Sequence, residues 1–131
     1  MAYKILCVDD DADDLYLLRK ALKQVGSDYE MIEAGDGLAA LDALRQMSEG
    51  DNLPCLIVLD INMPKMDGRQ TFMAIENDPK LSKVPVVIFS TSSSPLDKLF
   101  FSKKNVEYIT KPIYYETLLT VAQRMLSFCH K

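Results

Sequence analysis

The stretch LIVLDINMPKMDG, Leu56 to Gly68, runs four apolar residues straight into one carboxylate, Asp60, and then into a turn marked by Pro64 and Gly68. Apolar residues in unbroken succession, without the alternation of a half-exposed strand, imply burial on both faces, which favours an inner strand of a parallel sheet. A carboxylate at the end of such a strand is costly to bury unless a neighbour uses its charge. The rest of the chain must therefore supply both the layers around this strand and a partner for Asp60.

Runs of the same kind occupy residues 5–8 and 86–89, with weaker ones at 29–34 and 106–109. Between them lie apolar stripes at helical spacing. Leu15, Leu18, Leu22 and Val25 form one, Leu38, Leu41 and Leu44 a second, Leu96, Leu99 and Phe100 a third, and Leu118, Val121, Ala122 and Met125 a fourth. Gly26 ends the first helix, Asp36 and Asp67 cap the next two, and Ser94-Pro95 supplies an N-cap followed by proline at the first helical position. Asp67 and Gln70 have the spacing of a capping box, and Asn77 closes that helix. Strand and helix alternate five times, which predicts an α/β fold: a five-stranded parallel sheet with helices on both faces. At 131 residues the chain is long enough for one core and is expected to form a single domain over residues 1–131.

An apolar content of 48% is enough to build that core, and no apolar run approaches the roughly 20 residues that span a bilayer. The opening MAYKILCVDD turns acidic too soon for a secretory signal, so a cytoplasmic location without membrane contact is expected. The net charge of -4 and the lack of a basic stripe argue against direct nucleic-acid binding. Cys7, Cys55 and Cys129 have no close pairing, and the first two lie in or beside apolar runs, where cysteine serves as a small hydrophobe. Neither a disulfide nor a zinc site is expected, and the adjacency of Cys129 and His130 is assigned no role.

The polar residues gather where the strands end. The first run ends in Asp9-Asp10, the third in Asp60, the fourth in Ser90-Thr91 and the fifth in Thr110-Lys111-Pro112. In an open parallel sheet the carboxyl ends of the strands share one edge, and ligands bind there at the switch in strand order. For the doubly wound order 2-1-3-4-5 that switch falls between the first and third strands, so Asp9, Asp10 and Asp60 would face one another. Two carboxylates about 4 Å apart repel by on the order of 4 kcal/mol at an effective dielectric of 20, so the cluster needs a cation. A few carboxylates with waters and a backbone carbonyl suit Mg²⁺. A carboxylate is also a nucleophile toward phosphoryl groups, with Lys111 and Ser90 placed to bond the phosphoryl oxygens. Singly, each residue has a plainer reading: Asp11, Asp13 and Asp14 as acids favoured at a helix start, Lys111 as a surface lysine, Ser90 as a strand-end hydroxyl. Their arrival together at corresponding strand ends is what points to chemistry.

The segments ILCVDDD, LIVLDINMPKMDG, VVIFSTS and EYITKP, in this order, resemble the receiver domain of two-component response regulators, in its stand-alone form like the chemotaxis regulator, over essentially the whole chain. The resemblance implies a flavodoxin-like fold with strand order 2-1-3-4-5 and phosphorylation of Asp60 by the phosphohistidine of a sensor histidine kinase. It implies Mg²⁺ on Asp10, Asp60 and the Asn62 backbone carbonyl, with Asp9 acting through water. Ser90 then matches the family's switch hydroxyl, Tyr108 its switch aromatic and Lys111 its lysine. Signalling is expected through the face of the fourth helix, fifth strand and fifth helix to a downstream protein or phosphotransfer partner. A monomer or a weak, phosphorylation-dependent dimer follows, not an enzyme beyond promoting its own phosphorylation and dephosphorylation.

Three positions depart from the family pattern. Ser90 replaces the commoner threonine, Thr91 stands where a smaller residue is usual, and SKKNVEY replaces a Gly-Ala turn before the fifth strand. The long QMSEGDNLP connection resembles regulators paired with phytochrome-type kinases. Two other classes share parts of the pattern. A haloacid-dehalogenase-type phosphatase needs an acid two residues after its nucleophile, where this chain has Asn62. A flavodoxin-like flavin carrier needs backbone donors after the first strand, where this chain has DDDADD, which repels phosphate.

Overall fold

In the computed structural model, which describes residues 3–130 apart from the His130 side chain, β3 (Leu56–Leu59) is buried along its whole length at the centre of the sheet. β1 (Tyr3–Val8) pairs with it on one side and β4 (Val86–Ser90) on the other, while β2 (Tyr29–Ala34) and β5 (Glu107–Thr110) form the edges. All pairings are parallel and the order is β2-β1-β3-β4-β5, as the sequence predicts. The helices are α1 (Ala12–Val25), α2 (Gly37–Glu49), α3 (Gly68–Glu76), α4 (Pro95–Lys103) and α5 (Tyr115–Ser127), with 3-10 turns at Leu81–Lys83 and Phe128–His130.

Strand periodicity divides the core in two. Ile5, Cys7, Leu56, Val58, Val87 and Phe89 point to one face, where Leu15, Leu18 and Leu22 of α1 and Leu118, Ala122 and Met125 of α5 cover them. Leu6, Val8, Ile57, Leu59 and Ile88 point to the other, under Ala40, Leu41 and Leu44 of α2, Phe72 and Ile75 of α3 and Phe101 of α4. The chain changes face between β1 and β3, which opens the crevice at the carboxyl edge there.

Two stripes lie differently from the sequence reading. Leu38 is 49% exposed, and α2 buries Ala40 in its place. On α4, Leu96 and Leu99 are 73% and 51% exposed, and Phe101 is fully buried. The physical reason is aromatic packing: Phe101 meets the rings of Phe72 and Phe100 edge-on at 5.6 and 4.9 Å, and one large ring anchors this nine-residue helix better than two leucines. The predicted caps stand. Asp36 and Ser94 accept from the Ala39 and Asp97 N–H groups, and Asp67 with Gln70 forms a complete capping box. In SKKNVEY, Asn105 takes φ 58°, the left-handed conformation that asparagine adopts more readily than most residues other than glycine.

The cysteines require a correction. Cys55, just ahead of β3, is bonded to Cys129 in the turn after α5, with Cα atoms 5.0 Å apart across a separation of 74 residues. The Cys55 N–H donates to the Lys4 carbonyl, which pins it to the amino edge of the sheet, and the Phe128–His130 turn carries Cys129 to that same edge. No spacing rule connects residues so far apart, because only the docking of α5 brings them together. The His130 side chain lies outside the described residues. Cys7 remains a buried thiol, and burial pushes its pKa up.

Gly68 ties the fold to the crevice. A Cβ there would sit 2.3 Å from the Asp60 carbonyl oxygen and 2.7 Å from Ile61 Cα, both backbone atoms that cannot swing aside. Gly68→Ala is therefore expected to lower stability by roughly 1–3 kcal/mol, read as a fall in the urea midpoint. An unchanged midpoint would show that the loop gives way freely.

Candidate functional site

Backbone ladders carry the functional residues just past the sheet's carboxyl edge. The Asp9 N–H donates to the Ala34 carbonyl and the Asp60 N–H to the Val8 carbonyl, each at 3.0 Å, so β1 and β3 deliver neighbouring carboxylates. The Lys111 N–H donates to the Ser90 carbonyl at 3.0 Å, which brings the end of β5 to the end of β4. One oxygen of each central carboxylate is held by backbone: Asp9 Oδ1 accepts from the Asp11 N–H, and Asp60 Oδ1 from the Ile61 N–H. The other oxygens, both Oδ2, meet the Lys111 ammonium at 2.7 and 3.2 Å. The charge of Asp60, to which the sequence reading assigned a metal cation, is met in this structure by Lys111.

A third carboxylate completes the arrangement. Asp14 Oδ2 lies 2.7 Å from Lys111 Nζ. An ammonium has three donors, and these three acids occupy them. Burial disfavours the charged lysine, but its hydrogen bonds to Asp14 and Asp9 and the charges of Asp60 and Asp9 outweigh that and hold its pKa above the ordinary value. Burial pushes the Asp9 carboxyl up to about 6, against the hydrogen bonds from Lys111 and the Asp11 N–H. Asp14 is the residue that sequence reasoning missed, having read it as a helix-start acid. Its signal was positional: three residues after the N-cap Asp11, its Cα–Cβ bond tilts toward the helix N-terminus and so back over the strand ends.

Asp9, Asp10 and Asp60 each present an oxygen within 4.8 Å of the others, with Asp10 exposed at the mouth. Three hard oxygen donors without sulfur or imidazole fit a hard divalent cation. Asn62 is exposed two residues beyond Asp60. Ser90 is fully buried, and its Oγ accepts from the Ser92 N–H at 3.2 Å. The Tyr108 hydroxyl donates to the carbonyl of that same Ser92 at 2.7 Å, so one peptide segment joins Ser90 to Tyr108. Thr91 between them is exposed.

A carboxylate crevice at the carboxyl edge of a parallel sheet places this chain among the α/β domains that bind ligands at the switch in strand order. The profile of the response regulator receiver domain matches residues 5–123, and the chain belongs to that family, whose function is two-component phosphorelay signalling. Response regulator Rcp1 of Synechocystis sp. is 38% identical over 127 residues, a match covering 95% of this chain and 86% of that protein. Among solved structures, the phosphorylated cyanobacterial phytochrome response regulator RcpA superposes with a TM-score of 0.88 at 33% identity, covering 100% of this chain and 96% of that one. The Mn²⁺-bound form of Rcp1 superposes with a TM-score of 0.82 at 35% identity, covering 96% and 93%. Neither rival class, the phosphatase or the flavin carrier, finds support in these likenesses. Among the described residues no helix is long and apolar enough to cross a membrane.

Proposed function

We propose that residues 1–131 act as one cytoplasmic receiver domain in which Asp60 accepts a phosphoryl group from the phosphohistidine of a sensor histidine kinase. The bond from the Asp60 carboxylate to phosphorus forms as the phosphorus–nitrogen bond breaks, and the imidazole leaves with the electron pair. The observation that carries this reading is the Lys111 ammonium bonded to Asp60 Oδ2 at 3.2 Å, which sets a cation beside the accepting oxygen where phosphoryl charge would collect. Asp10, Asp60 and the Asn62 carbonyl would hold Mg²⁺, with Asp9 acting through water. Bound there, the ion neutralises the phosphoryl oxygens. The likeness to a phytochrome response regulator favours a phytochrome-type kinase as donor.

Ser90 and Tyr108 form the proposed switch. A phosphoryl oxygen on Asp60 would accept from the Ser90 O–H while the Ser90 oxygen still accepts from the Ser92 N–H. A move of Ser90 toward the phosphoryl group thus pulls on Ser92, and any shift of Ser92 moves the acceptor of the Tyr108 hydroxyl. The face of α4, β5 and α5 would then change for a downstream protein or phosphotransfer partner, or for weak dimerisation.

Incubation with acetyl phosphate and Mg²⁺ tests the reading by mass spectrometry. Stable single phosphorylation that stops when Mg²⁺ is chelated supports it; continuous release of phosphate points to a phosphatase, and no uptake overturns it. In parallel, Mg²⁺ at one hundred times its Kd is expected to stabilise the wild type by about 2.7 kcal/mol, visible as a higher Tm. In Asp10→Ala most of that gain should vanish, and an equal rise in both proteins would remove Asp10 from the metal site.

A further inference from the structure

We propose that Asp14 is a positioning residue that keeps the Lys111 ammonium in the crevice when a cation and a phosphoryl group take over Asp9 and Asp60. The proposal rests on the reading of Asp60 as phosphoryl acceptor. Two of the three acids that hold Lys111, Asp9 and Asp60, also belong to the oxygen cluster that fits a divalent cation. Charge given to the cation is withdrawn from the lysine, and a phosphoryl group on Asp60 removes that carboxylate as an anion altogether. Asp14 is outside the cluster, so its 2.7 Å ion pair is the one that can persist in every state.

The structure also makes Asp14 a firm support. Its backbone N–H and that of Asp13 both donate to Asp11 Oδ1, at 3.2 and 2.9 Å, which fixes the first turn of α1. The Lys111 side chain is only 9% exposed, so its head group has little access to water as a substitute partner. With Asp14 in place, two donors are free to follow the phosphoryl oxygens while the third remains anchored. Without it, the ammonium is drawn fully onto Asp9 and Asp60, where it competes with the cation. An acid at this position also favours the helix N-terminus, but Asp13, exposed in the same turn, supplies that effect equally.

Asp13 is therefore the control. At saturating Mg²⁺, Asp14→Asn is expected to slow phosphorylation by acetyl phosphate about tenfold, while Asp14→Glu recovers most of the rate and Asp13→Asn stays within about twofold of wild type. A second readout does not depend on turnover: the side-chain ammonium resonance of Lys111 in ¹⁵N NMR of the beryllofluoride-treated protein. It should stay sharp in wild type and Asp13→Asn and be lost to solvent exchange in Asp14→Asn, with melting curves confirming that each variant is folded. If Asp14→Asn matches Asp13→Asn in both rate and resonance, the positioning role is wrong. If wild type itself takes up no phosphate, the Asp60 reading falls and this proposal with it.

Discussion

Asp60→Asn is expected to lower phosphate uptake from either acetyl phosphate or a phosphohistidine donor by roughly a thousandfold or more, with the fold intact. An amide oxygen is a poor nucleophile, and no other described carboxylate combines the burial of Asp60 with its position at the end of the central strand. The structural cost is small because the amide oxygen still accepts the Ile61 N–H now bonded to Asp60 Oδ1 at 2.8 Å. Lys111 keeps Asp9 and Asp14, both at 2.7 Å, and loses only its longest ion pair. One of three mutually repelling acids becomes neutral, so without metal the variant's Tm should equal or exceed that of wild type. Phosphorylation persisting in Asp60→Asn would move the acceptor to another residue. A large fall in Tm would show that Asp60 is needed for folding as well as for chemistry.

Oxidised protein is expected to be about 4 kcal/mol more stable than Cys129→Ala or than wild type treated with dithiothreitol, measured by urea unfolding. The figure follows from the separation of 74 residues between Cys55 and Cys129, whose linkage removes a large loop-closure entropy from the unfolded chain. The bond fastens the end of α5 to the amino edge of the sheet beside β1 and β3, away from the acidic crevice. Its loss should therefore change stability far more than the rate of phosphorylation at a temperature where the protein is folded. In a reducing cytoplasm the pair would be held largely as thiols, so the oxidised and reduced proteins both need measuring. A wild type insensitive to dithiothreitol would show that the two sulfurs are not joined in solution.

The sheet and its edge chemistry were legible because they rest on local rules. Leu56 to Leu59 had to be buried on both faces, Asp36, Asp67 and Ser94 had to begin helices, and Asp9, Asp60, Ser90 and Lys111 fell at strand ends that a parallel sheet must bring to one edge. Periodicity resolves such matters within a few residues of sequence. It misplaced the buried faces of α2 and α4 because the rotation of a short helix is set by what it meets. Phe72 and Tyr108 flank the ring of Phe101, and nothing in the nine residues of α4 encodes them.

The sequence by itself determined the alternation of strands and helices, the N-caps of α2, α3 and α4 and the identity of the acidic cluster. Only the tertiary structure decided that Asp14 shares Lys111 with Asp9 and Asp60, that Ser92 links Ser90 to Tyr108, and that Cys55 meets Cys129. The difference is physical: strand burial and helix capping are fixed by neighbours along the chain. Those three contacts join residues 97, 16 and 74 positions apart and depend on where α1, α4 and α5 settle on the sheet.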